Sequence, residues 1–198
     1  DADPMAENRS YLHDRFVVGD AALALDELAN RLDGRMNIDP EFADDLARAR
    51  GEAETDMREA LGPYDAIFEA LLGAVPGDLI WVRDITLSNS VWGNRLPALQ
   101  GARDGVHALG GGIGQGITMA IGAALAVEGR KTVALIGDGG FYVSLGELAT
   151  AVQEHADVVF VVMNDKGYGV IRNIQDAKFG GRRHYSDLHM PEFSSLSN

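Results

Sequence analysis

From residue 78 onward the chain alternates short apolar, β-branched runs with segments of helical period, whereas the stretch before it carries helical signals only. Ala22, Leu23, Leu25, Leu28 and Leu32 recur near the 3.6-residue period, which predicts a helix over residues 20–32 that Gly34 stops. From Asp39-Pro40 to Leu61 the chain turns to Glu, Asp, Arg and Ala with few large apolar residues, the pattern of a solvated helix or linker. Ile67, Phe68, Ala70 and Leu71 predict a better amphipathic helix over residues 64–72, ended by Gly73 and Pro76-Gly77. Beyond it, strands are predicted at 78–82, 132–136 and 157–163, with helices at 116–127 and 144–155 between them. Gly105-Val106-His107 does not make a convincing strand. This alternation predicts an α/β fold, a parallel sheet covered by helices on both faces, and no internal repeat or low-complexity segment competes with it.

Composition narrows the partners. The chain has 198 residues, 46% hydrophobic and 24% charged, enough for a real core. Lys and Arg total 17 against 30 Asp and Glu, a formal charge of −13 that repels nucleic-acid backbones and anionic lipid surfaces. There is no Cys, hence no disulfide, thiolate metal site or cysteine nucleophile. The longest apolar run, 117–127, is shorter than the roughly 20 residues needed to span a bilayer. No signal peptide opens the chain, and a cytoplasmic location is expected. It starts Asp1-Ala2-Asp3-Pro4 and stops at Ser194-Ser195-Leu196-Ser197-Asn198, directly after the expected start of another element, so either end is expected to be a cut.

Ligands of open parallel sheets bind beyond the carboxyl ends of the strands, so the turns after the strands hold the candidate chemistry. The strand ending at Ile136 runs into Gly137-Asp138-Gly139-Gly140, and the next, ending at Met163, runs into Asn164-Asp165-Lys166-Gly167-Tyr168-Gly169. Neighbouring parallel strands lie about 4.8 Å apart, so Asp138 and Asn164 can converge on one small cation. Carboxylate, amide and carbonyl oxygens are hard donors suited to Mg²⁺ and phosphate. Taken singly, Gly-Asp-Gly reads as a tight turn and Asn164 as a helix cap. Both at successive strand ends favour a magnesium-diphosphate clamp.

Gly137-Asp138-Gly139 followed by Asn164 resembles the cofactor signature of thiamin-diphosphate-dependent enzymes. Gly167-Tyr168-Gly169-Val170-Ile171-Arg172 is similar to its continuation in the acetolactate synthase and 2-oxo acid decarboxylase group, which includes benzoylformate and pyruvate decarboxylases. The resemblance covers residues 64–198, and more weakly Val17-Val18-Gly19-Asp20-Ala21, similar to the end of that group's central domain. It implies a remnant of the central domain at 1–35, a linker helix at 36–62 and a thiamin-diphosphate-binding domain at 63–198, truncated at its C-terminus. It further implies Mg²⁺ on the side chains of Asp138 and Asn164 and the carbonyl of Lys166. The amides of Gly139 and Gly140 would hold the diphosphate, helped by a helix N-terminus near Ser144 and by the hydroxyls of Thr86 and Ser88, with Gly137, Tyr168 and Gly169 as further cofactor-binding residues. In the Gly110–Gly116 cluster, Gly111 and Gly112 would meet the aminopyrimidine ring, and Ile113 would enforce the bent cofactor.

The same resemblance implies a reaction: attack of the thiazolium carbon on a 2-oxo acid, loss of CO₂, and protonation or ligation of the acyl-anion equivalent. The glutamate that activates the pyrimidine would come from an absent N-terminal domain, so no catalytic residue is expected in this chain and the fragment alone is expected to be inactive. The expected partners are a small 2-oxo acid, the rest of the parent chain and a second subunit in a homodimer or homotetramer, with no nucleic acid or membrane. A second class stays open: a non-catalytic α/β binding or regulatory domain with a degenerate cofactor site. A dinucleotide-binding reading fails for lack of G-x-G-x-x-G. His13, His107, His155, His184 and His189 show no paired metal spacing. Tyr142 stands where a nucleophile elbow before Ser144 needs Gly. Trp81 and Trp92 read as core, and Gly180 to Tyr185 as a solvated basic loop.

Overall fold

A computed structural model describes residues 1–7, 9 and 13–195. The chain divides into two compact units, Asp1–Glu52 and Ala53–Asn198.

The first unit holds a 3-10 turn at Pro4–Ala6, helix α1 (Ala21–Leu32) and most of helix α2 (Phe42–Leu61). Asp20 caps α1, its side chain accepting from the Leu23 N–H at 3.0 Å. None of the described residues of this unit is buried, and Leu23 is 71% exposed. The leucine period therefore marks a helix without marking a core.

The second unit is built on four parallel strands: β1 (Ile80–Arg83), β2 (Gly105–His107), β3 (Thr132–Gly137) and β4 (Val158–Met163), ordered β2-β1-β3-β4. Helices α3 (Tyr64–Ala74), α4 (Gly116–Ala126), α5 (Asp138–Val143), α6 (Leu148–Gln153) and α7 (Gly169–Phe179) complete it. Side chains alternate across the sheet with period two. Ile80, Val82, Ala134 and Ile136 face one core with Ile117, Ile121 and Phe141. Trp81, Val133 and Leu135 face the other with Leu61, Phe68 and Trp92. Every residue of β3 is buried, as a central parallel strand covered on both faces requires. Trp81 and Trp92 are core residues, and the Trp81 indole N–H is satisfied by the Gly93 carbonyl at 2.8 Å. Among the described residues, no helix is long and apolar enough to cross a membrane.

Two expectations need correcting. Gly105–His107 is a strand: its three residues pair with Trp81, Val82 and Arg83 of β1, and that partner, invisible in so short a run, supplies the hydrogen bonds. The single helix expected over 144–155 is instead a 3-10 turn at Leu145–Glu147 followed by α6, and the helix after β3 starts at Asp138 rather than near Ser144. Ser144 is non-helical (φ −117°, ψ 19°), its hydroxyl bonded to the Gly114 carbonyl, which breaks the run. The last turn, Phe193–Ser195, is described; the further element expected there falls for residues 196–198 outside the described residues.

Candidate functional site

The register Gly137↔Met163 makes Asp138 and Asn164 the next pair beyond the ends of β3 and β4, as the strand alternation required. Asp138 is 2% exposed. Its Oδ1 accepts from the Gly139 N–H at 2.9 Å and its Oδ2 from the Gly167 N–H at 2.9 Å. Burial pushes the Asp138 carboxyl above the usual carboxylate range; the two backbone donors oppose this, and the neighbouring carboxylate of Asp165 adds to it. The carboxylate thus lacks any cationic partner among the described residues while a second one faces it.

The loop after β4 is held tightly. Asn164 Oδ1 accepts from the Lys166 N–H at 3.1 Å, and Lys166 sits in the left-handed region (φ 56°). The Lys166 carbonyl accepts from the Arg172 guanidinium at 2.6 Å and from the Leu188 N–H at 2.9 Å. Arg172 also donates to the Asp165 carbonyl at 2.9 Å and to Asp187 at 3.0 Å, so one side chain of α7 clasps the loop. Tyr168 precedes α7 and donates its N–H to the Ser186 carbonyl at 2.8 Å; its ring lies against Gly139. Gly169 opens α7 beside the Asp165 carboxylate.

The upstream residues approach from the other side. Thr86 packs on the backbone of Gly137, where an added Cβ would come within 3.0 Å of its hydroxyl oxygen. Ser88 is the N-cap residue of a π-helix over Asn89–Gly93, and its side chain makes no capping hydrogen bond. Gly111 and Gly112 lie on an exposed loop, and Ile113 on that loop is 37% exposed.

Asp84 was not singled out from sequence, yet it ties these pieces together. It is 2% exposed, and its carboxylate accepts from the Ile85 N–H at 2.8 Å and from the Gly114 N–H at 2.9 Å. Gly140 must be glycine for this arrangement: a Cβ there would lie 2.5 Å from Asp84 Oδ2 and 3.3 Å from the Gly114 nitrogen. Gly114 has φ +87°, which favours glycine, so the loop carrying Ile113 is anchored by a backbone only this residue adopts easily. The only sequence signal for Asp84 was its place at a strand end; its partner is 30 positions away.

The donor set fits a hard divalent cation. Among the described residues no cluster of three or more His, Asp or Glu could hold a metal, so a centre here rests on mixed oxygens. Asp138 and Asn164 offer side-chain oxygens at adjacent strand ends, and a cation between Asp138 and Asp165 removes their repulsion.

Comparison with known proteins identifies the family. Residues 88–197 match the family described as thiamine pyrophosphate enzyme, C-terminal TPP binding domain. The chain is 35% identical over 182 residues to the catabolic acetolactate synthase of Raoultella terrigena, covering 88% of this chain and 32% of that protein. It is 33% identical over 179 residues to the probable 2-ketoarginine decarboxylase AruI of Pseudomonas aeruginosa, covering 87% and 31%. Among solved structures, the thiamine diphosphate-dependent 4-hydroxybenzoylformate decarboxylase of Rhodococcus jostii RHA1 superposes with a TM-score of 0.58 at 27% identity, covering 63% of this chain and 24% of that one. The chain spans about a third of the length of the curated relatives it matches.

Proposed function

Because this chain belongs to the thiamine pyrophosphate enzymes, as their C-terminal TPP binding domain, we propose that it forms the diphosphate- and metal-holding half of a 2-oxo acid decarboxylase or carboligase. The observation that carries this reading is Asp138: a buried carboxylate at a strand end, next to Asn164 and facing Asp165, with backbone N–H groups as its hydrogen-bond partners. Asp138, Asn164 and the Lys166 carbonyl are proposed to hold Mg²⁺. Gly137, Gly139, Gly140, Thr86, Ser88, Tyr168 and Gly169 would line the diphosphate, and Gly111, Gly112 and Ile113 the pyrimidine. Bound thiamin diphosphate supplies the nucleophilic carbon and electron sink that decarboxylation of a 2-oxo acid requires. The chain's own residues bind and orient it: Asp84 fixes the Gly114 loop against Gly140, and Arg172 fixes the Lys166 carbonyl. A net charge of −13 opposes an anionic cofactor over long range, so the metal must supply the attraction locally.

The proposed organisation is a central-domain remnant at 1–35, a linker at 36–62 and the cofactor domain at 63–198. The activating glutamate would come from the rest of the parent chain in a second subunit, which leaves this chain inert alone. A thermal melt tests the binding half. At a hundredfold excess over Kd, ligand binding adds about 2.7 kcal/mol, so Mg²⁺ with thiamin diphosphate should raise Tm by about 5–10 °C for a chain of this size. EDTA should abolish the shift. A shift that persists in EDTA would count against the metal-mediated site.

A further inference from the structure

The β1 and β2 side of the same sheet edge carries the opposite deficit. Arg83 and His107 are in register at the ends of β1 and β2, so their side chains share a face, the one that also carries Trp81. They line a cavity of about 230 Å³ with Asp84, Thr86, Asn89, Ser90 and Asn94. Arg83 is half-buried, and among the described residues its guanidinium makes no hydrogen bond and no ion pair. By contrast Arg130 pairs with Asp104 at 2.8 Å, and Arg172 with Asp187 at 3.0 Å. Burial alone pushes the Arg83 pKa down, with no carboxylate opposing it. The Asp84 carboxylate next door is engaged by backbone N–H groups on the opposite face. A desolvated cation without a counterion, inside a chain of charge −13, is stabilised by an anion that enters from outside.

We propose that this cavity is an anion subsite of the same active centre, in which Arg83, beside His107, holds a carboxylate that the substrate keeps throughout the reaction. The proposal rests on reading the chain as the cofactor-holding half of a 2-oxo acid enzyme. A guanidinium presents two parallel N–H donors that match a carboxylate, and Thr86 and Asn94 bring further polar groups to the same wall. The cavity is smaller than the roughly 300 Å³ at which drug-sized sites begin, which suits a small organic acid. The retained carboxylate follows from the energetics of decarboxylation. A carboxylate leaving as CO₂ loses its charge on the way to the transition state, so a guanidinium bound to it would stabilise the ground state more. Arg83 therefore suits a second carboxylate, and the substrate class is a dicarboxylic 2-oxo acid. The cofactor's diphosphate shares the anionic chemistry, and the test separates the two.

Wild type, Arg83→Gln and Asp138→Ala are titrated by calorimetry with 2-oxoglutarate, with 2-oxobutyrate and with Mg²⁺-pyrophosphate, while NMR follows the Arg83 Nε–H resonance. The expected result is a double dissociation. Arg83→Gln weakens 2-oxoglutarate by about tenfold or more, roughly one lost charge-assisted pair, and leaves Mg²⁺-pyrophosphate within about twofold; Asp138→Ala does the reverse. In wild type, 2-oxoglutarate shifts the Arg83 resonance and 2-oxobutyrate binds more weakly. Equal 2-oxoglutarate affinity in wild type and Arg83→Gln would overturn the subsite, as would equal binding of the monoacid. A loss of Mg²⁺-pyrophosphate in Arg83→Gln matching that in Asp138→Ala would assign the cavity to the diphosphate and also overturn it. A wild type that takes up no Mg²⁺-pyrophosphate would remove the cofactor reading, and the subsite with it.

Discussion

The two halves of one sheet edge differ in sign. Beyond β3 and β4, the Asp138 carboxylate is buried against Asp165 and lacks a cation; beyond β1 and β2, the Arg83 guanidinium is half-buried and lacks an anion. Both are costly for a ligand-free protein, because burial favours the neutral form of each group. The difference teaches what the two proposals share: each assigns to the edge a guest of the sign it lacks, a metal with its diphosphate on one side and a carboxylate on the other. Asp84 stands between them: its backbone carbonyl is held by Asn89 at 2.6 Å, and its carboxylate reaches the loop beside Gly140.

The comparison can be broken most severely at Gly140. Gly140→Ala places a methyl group 2.5 Å from Asp84 Oδ2, an overpacking expected to cost about 1–3 kcal/mol. Denaturant unfolding should show that loss, and cofactor binding should fall with it. Unchanged stability would mean that α5 and the Asp84 loop do not approach as described. Asp84→Asn is milder and sharper. It loses one of two backbone hydrogen bonds, worth about 1–2 kcal/mol, and loosens the loop carrying Gly111 and Ile113. Thiamin diphosphate affinity should drop roughly tenfold, while Mg²⁺-pyrophosphate, which lacks the ring that would meet Gly111 and Ile113, should bind nearly as in wild type. Equal losses for both ligands would contradict this division of labour.

The smallest expected effect is on pH dependence. With its pKa raised in the fold, Asp138 binds its proton more tightly folded than unfolded, so its contribution to stability is present below the unfolded value, about 3.9, and fades as pH rises through the folded value. In EDTA, the Tm of wild type minus that of Asp138→Asn should therefore shrink from about pH 4 towards neutrality. A difference that widens would show that the carboxylate is stabilised as the anion without any metal.

Much of this was legible in the sequence because it rests on local patterns. The β-branched runs at 132–136 and 157–163 fall on parallel strands, the first wholly buried and the second half-buried, and the glycine and asparagine turns after them carried the resemblance to the family. What stayed hidden depends on distant partners. β2 is three residues long and exists through its pairing with β1. Helix α5 carries two glycines, poor helix formers, in its first turn, and forms where Asp84 and Tyr168 leave room for nothing larger. Asp84 meets Gly114 across 30 positions, and Arg83 meets His107 only through strand register. In α1 the leucine period was plain, but periodicity reports a face and not what covers it.

The most direct measurement is calorimetry of thiamin diphosphate with Mg²⁺ on wild type and on Asp138→Ala. Saturable binding by wild type, lost on chelation and weakened by about two orders of magnitude or more in the variant, is the result expected of a buried carboxylate that holds the metal. Equal affinity in the two proteins would contradict it.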